Sequence, residues 1–183
     1  MSKKYLNNND DDNEVTIEKD KDENKIIKSI DENGNEEIKK LDKDGKLISI
    51  EKINEDGNKE EHVFDKDGKE KMIKIIDNST GKIIKEINLL PNGIKQIKTF
   101  DENNKEIIKE ILPNNIIIEK SLDENNNLVI KRIDENSGTK IVRKIDKNNN
   151  NPECKMYDLN DNVIENKNID KNGNLNKLNI YEI

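Results

Sequence analysis

The sequence predicts an all-β protein, an antiparallel β-meander of hairpin repeats of about 23 residues forming an extended, open or curled repeat sheet. Three observations predict it. Turn signals recur every 10 to 14 residues: segments open at Asp20, Asp31, Asp42, Asn54, Asp65, Asp77, Asp101, Asp123, Asp134, Asp146, Asp158 and Asp170, and Pro-Asn pairs open two more at Pro91 and Pro113. The residue just ahead of every start after the first is large and apolar: Ile30, Leu41, Ile53, Phe64, Ile76, Leu90, Phe100, Leu112, Leu122, Ile133, Ile145, Tyr157 and Ile169. Only 30% of the chain is hydrophobic, so that coincidence is a pattern rather than chance. The segments also pair, because the starts at Asp31, Asn54, Asp77, Asp101, Asp123, Asp146 and Asp170 are 23, 23, 24, 22, 23 and 24 residues apart.

Residues 1–19 carry "NNNDDDNE" and precede the clear repeat. They are expected to be a flexible acidic and Asn-rich tail, with "VTIEK" (15–19) as a candidate first strand. The array is expected over 20–183. Each half-repeat reads as a turn ("DENG", "DKDG", "NEDG", "PNG", "DENN") followed by a short apolar run ("IIKSI", "LISIEKI", "IIKEI", "LVIKRI", "IVRKI"). Asn, Asp and Gly tolerate positive φ, and Pro presets the first turn position. Asn-Gly and Asp-Gly between apolar runs signal hairpins. A helical reading of the 11-residue spacing fails, because breakers in every segment would end each helix after about two turns. Roughly fourteen strands at about 4.8 Å each would make a sheet on the order of 65 Å wide.

The faces alternate poorly. Ile30, Lys28 and Ile26 share one face, and Ile27 and Ser29 share the other. Lys or Arg stands two residues before the terminal apolar position in most repeats, as at Lys28, Lys74, Lys98 and Arg143. A sandwich core needs cleaner alternation. The expectation is a thin sheet whose aliphatic rows are covered by Lys and Glu stems, with nearest-neighbour energetics and sticky end strands near residue 20 and near Ile183.

Composition bounds the function. Charged residues make up 40% of the chain and mean hydropathy is -1.07, which by itself leans toward disorder. The apolar residues are mostly Ile, a strand former, and they are regularly placed. The Asn, Lys and Ile bias is what an AT-rich genome produces. Net charge is -7 with both signs interspersed, and aromatics are 3%, so neither the basic stripe nor the stacking residues of a nucleic-acid binder are present. No apolar run is long enough to span a bilayer. "MSKKYLNNNDDDNEV" lacks the apolar stretch of a classical signal peptide, so the expected location is cytoplasmic. Cys154 is the single cysteine, so no internal disulfide is expected.

The hairpin units, with their D/N-x-N-G turn followed by K-x-I or K-L-I, resemble MORN-type repeats, most of all the variant in YwqK-type antitoxin proteins. "DENGNEEIKKLDKDGKLISIEKI" (31–53) carries the resemblance best, and the likeness covers roughly 20–183. The usual MORN pattern is rich in Gly, Tyr and Trp, and this chain has no Trp. Tyrosine-aspartate repeats of bacterial toxin shells and the lysine-rich single-layer sheets of spirochaete surface lipoproteins share the theme. The resemblance implies a non-enzymatic repeat scaffold and transfers no functional residue.

The repeated "DKDGK" is the main candidate for chemistry. In an EF-hand register Gly45 takes the sixth place, Asp42 and Asp44 the third and fifth, and Glu51 the twelfth. Lys40 then sits where the first carboxylate is required. Asp42, Asp44 and Glu51 are therefore weak metal candidates, and a turn is the preferred reading. His62, the only histidine, is expected to be one more surface residue, and no activating motif surrounds Cys154. No catalytic or cofactor-binding residue is identified, and no cofactor is implied. "NST" at Asn78 reads most simply as a turn.

The expected function is a non-catalytic repeat scaffold for protein–protein interaction or self-assembly, with a protein partner or itself bound through strand faces or edges. The alternatives are an antitoxin- or immunity-type inhibitor, implied by the resemblance, and a weakly calcium-dependent, adhesin-like surface repeat.

Overall fold

The computed structural model describes residues 3–5, 14–30, 34–145, 153–158 and 160–168. These residues form fifteen β-strands and no helix. Every pairing is antiparallel between consecutive strands, so the expected all-β hairpin meander is the fold of the chain. The chain divides into two units, Met1–Leu89 and Leu90–Ile183.

The first unit holds β1 (Lys3–Tyr5), β2 (Glu14–Lys19), β3 (Lys25–Ile30), β4 (Glu36–Leu41), β5 (Leu47–Ile53), β6 (Lys59–Phe64), β7 (Glu70–Ile76) and β8 (Ile83–Leu89). The second holds β9 (Lys95–Phe100), β10 (Glu106–Ile111), β11 (Ile116–Leu122), β12 (Leu128–Asp134), β13 (Thr139–Ile145), β14 (Glu153–Asp158) and β15 (Val163–Asn168). Among the described residues of each unit, elements touch only their sequence neighbours, so each is a single-layer sheet that does not close into a barrel.

The sheet extends upstream of residue 20. β2 pairs along its length with β3, and β1 pairs with β2. Residue 20 is therefore not an edge, and 14–19 is not tail. Val15 and Ile17 stand level with Ser29 and Ile27, so the "VTIEK" alternation supplies the ladder and apolar contacts that β3 needs. Ile169, Asp170 and the edge expected near Ile183 lie outside the described residues.

Among the described residues the Asn-Gly and Asp-Gly pairs do not sit at the centre of two-residue turns. In the β4–β5 connection Asp42 donates its N–H to Lys46 O at 2.8 Å and accepts from Gly45 N at 3.0 Å, so Lys43–Gly45 form the loop. That is a type I turn followed by a left-handed residue. Gly45 supplies the left-handed slot at φ +82, and where glycine is missing Asn104, Asn115, Asn126, Asp161 and Glu23 adopt it. The β7–β8 turn is longer, closing from Asp77 N to Lys82 O, and contains the "NST" residues as a turn.

No large side chain among the described residues is wholly buried. In the second unit Ile116, Ile118, Arg132, Ile141 and Cys154 are the buried residues, and register places them all on one face. In a single layer, burial that one-sided means that face is the sheltered side. The first unit buries only Ser49 and Ile87 among its described residues, on opposite faces.

Candidate interaction surfaces

The turns form the rims of each sheet, and most are closed by the side chain of their own first residue, whereas those beginning at Leu90 and Leu112 are closed through the backbone. Asp42 Oδ1 accepts the backbone N–H of Asp44 and of Lys46, at 2.9 and 2.8 Å. Asn54, Asp65, Asp101, Asp123 and Asp158 repeat the arrangement. A carboxylate that accepts such bonds is stabilised as the anion. The Lys40 ammonium beside Asp20, followed by Asn24, holds that carboxyl well below the usual range. Lys144 does the same for Asp123, backbone N–H of Lys69 for Asp65, that of Ser137 for Asp134, and the Asn162 amide for Asp158. Hydroxyls of Ser79 and Thr80 bring Asp77 down to about 2. Rim contacts also join successive turns on the same side: Lys46 Nζ donates to Lys66 O, Lys105 Nζ to Asp123 O, and Asn136 Nδ2 to Asn114 O.

The three metal candidates are not brought together. Asp42 is occupied within the turn, Asp44 is exposed beside it, and Glu51 of β5 is ion-paired with Lys59 of β6. Glu51 is five residues beyond Lys46, about 17 Å along the strand. Among the described residues no group of three His, Cys, Asp or Glu side chains is arranged to hold a metal ion.

The faces of the first unit differ. One carries a cross-strand row of Ile17, Ile27, Lys39, Ile50, His62, Ile73 and Ile87. Ion pairs sit on both faces: Lys39–Glu37 at 2.6 Å and Lys52–Glu60 at 3.6 Å on that one, and Lys28–Glu18 at 3.0 Å, Lys59–Glu51, and Lys74–Glu61 at 3.0 Å on the other. His62 is not an exposed surface residue, for its side chain is only 18% exposed. It stands between Ile50 and Ile73, with Glu70 at Nδ1 and Glu60 at Nε2. The carboxylates approach opposite ring nitrogens, so they fix the ring rather than converge on one ion. Nothing in the sequence around His62 signals this, since Glu70 arrives from the next strand. A depression of about 180 Å³ opens on the face opposite the isoleucine row, lined by Glu36, Ile38, Glu51, Lys52, Ile53, Lys59 and Asn78.

The second unit gathers its buried residues around two arginines. They are the only arginines in the chain, a compositional signal that the Lys/Arg periodicity hid. Arg132 is 2% exposed, level with Ile141, and 3.6 Å from Asp134. Arg143 is level with Cys154, and its Nε is buried with no hydrogen-bond partner. Ile141, Cys154 and Met156 pack as a small cluster beside them. Cys154 and His62 belong to different units, each with its own surroundings.

No protein-family model matches the chain, and a search of curated proteins finds no match. Among the described residues no helix is long and apolar enough to cross a membrane.

Proposed function

We propose that the chain is a non-catalytic repeat scaffold that presents regularly spaced side chains to a protein partner or to itself. One observation carries the reading: closed turns hold consecutive strands in single-layer sheets whose elements touch only their neighbours. A layer of that kind offers its surface as rows at multiples of about 4.8 Å, which suits an extended partner surface rather than an enclosed substrate. The ordered turns, whose carboxylates are already spent on their own backbone, support structural use of the acidic rims. Rows of exposed apolar residues, Ile30, Ile53 and Ile83 in the first unit and Phe100, Leu122 and Leu128 in the second, support binding through sheet surfaces.

The test is capture with the tagged full chain from lysate of its native host, read by mass spectrometry. One stoichiometric foreign protein, or the chain itself in multimers, supports the scaffold. Recovery of the monomeric chain alone, across salt and concentration, overturns it.

A further inference from the structure

We infer that the row Ile30–Glu36–Ile53–Lys59–Ile76 on the first unit docks a second copy of this chain, paired about a twofold axis parallel to the strands at Ile53. The inference rests on the scaffold reading and gives it one surface and one occupant. Register builds the row. Ile30 stands level with Glu36, Ile53 with Lys59, and Lys59 with Ile76. Glu37 faces Lys52, which sets Glu36 level with Ile53. Residues level across an antiparallel pair share a face, so all five project from one side. Ile30 and Ile53 are 39% and 49% exposed, which is high for isoleucines inside a sheet.

The order of the row is self-complementary. A twofold axis at Ile53 carries Glu36 onto Lys59 of the second copy and Ile30 onto its Ile76. A twofold axis along the row, perpendicular to the strands, would instead set Glu36 on Glu36 and Lys59 on Lys59, which is repulsive. The apolar positions repeat every two strands, about 9.6 Å, and a second copy has that spacing built in. The depression bounded by Glu36, Ile53 and Lys59 receives Ile53 of the second copy. An isologous contact of this kind makes every interaction twice. The row is only about 19 Å long, four strand spacings, below the span of a standard stable interface. Pairing is therefore weak and concentration-dependent. Lys59 already binds Glu51 within its own chain, so the charges set register more than affinity.

Sedimentation equilibrium of the full chain over a wide concentration range tests this. Wild type should rise from 21.2 kDa toward twice that mass. Ile53→Asp should stay monomeric, and Glu36→Lys and Lys59→Glu should each self-associate about ten-fold more weakly, from paired like charges. An equal mixture of those two charge-reversed chains should recover wild-type association, because each then meets its opposite. Circular dichroism confirms that each variant is folded. Self-association unchanged in Ile53→Asp, or a folded mixture that fails to pair, overturns the surface while leaving self-assembly elsewhere intact. A wild-type chain that stays monomeric throughout overturns self-docking but not the scaffold, which the lysate capture decides on foreign partners.

Discussion

Ile141→Ala should expose Cys154 far faster than truncation at a rim position of the same unit. Ile141 is 2% exposed and packs on Cys154 and Met156, with Arg132 level across the strand pair. Truncation removes three carbons, about 2.4 kcal/mol at about 0.8 kcal/mol per buried carbon. A residual cavity adds to this, for a total of about 2.5–4 kcal/mol. Cys154 is itself 3% exposed, so a thiol reagent reaches it only when the sheet opens. At about 1.4 kcal/mol per decade, labelling should accelerate about 60- to 700-fold. Leu122→Ala removes the same number of carbons from a side chain already 43% exposed, and should accelerate labelling less than about ten-fold. The assay is the rate of Cys154 modification in native buffer, with reagent varied so that opening pre-equilibrates. Equal acceleration by the two variants, or less than about five-fold by Ile141→Ala, would refute the claim that the sheltered cluster holds β12–β14 together.

The further expectations concern the turns and Arg143. Gly45→Ala should cost about 1–2 kcal/mol by thermal denaturation, because φ is +82 and nothing else crowds the new methyl. Gly93→Ala should cost more, since Pro113 Cγ is 3.2 Å from the added carbon; equal costs would remove that contact from the account. Stability should fall on acidification. The lowered folded-state pKa of Asp20, Asp65, Asp77 and Asp123 means the unfolded chain binds protons first. The contribution is complete above the ordinary value near 3.8 and, for Asp77, is lost as pH falls through about 2. Carboxyl NMR should show Asp77 returning toward 3.8 when Ser79→Ala and Thr80→Val are combined, and an unmoved titration would rule out the hydroxyls as the cause. Arg143→Met should leave stability unchanged or raise it by about 1 kcal/mol in urea titration, because it deletes a buried donor that has no partner. A loss above about 1 kcal/mol would mean that the guanidinium's other nitrogens hold the cluster.

Much of the architecture was legible because its signals are local. The apolar residue ahead of most turn signals ends a strand, as at Leu41, Ile53 and Phe64, whereas Leu90 and Leu112 ahead of the Pro-Asn pairs already belong to the turn. The Asx residue that follows closes the turn with its own side chain, which explains why Asp or Asn recurs there. The metal reading of "DKDGK" weakens for the same reason, since Asp42 is committed to Asp44 and Lys46. "VTIEK" was legible as a strand and pairs with β3, but the further strand β1 beyond it was not, so the edge expected near residue 20 was misplaced. His62 was misjudged too, because its Glu70 contact comes from the next strand.

The sequence by itself determined strand, turn and period, because each depends on residues within one hairpin: β-branched runs, left-handed slots and Asx caps. Only the tertiary structure decided which face is sheltered. Lys and aliphatic residues mix on both faces of the sheet, so alternation could not say which side is covered. In the second unit that choice follows from how neighbouring strands bring Ile118, Arg132, Ile141 and Cys154 onto one side. In the first, cross-strand register alone set Glu36, Ile53 and Lys59 in one row. Glu36 and Ile53, far apart along the chain, become neighbours there because hairpins stack at a fixed spacing, a relation set by pairing between strands rather than by a single strand or turn.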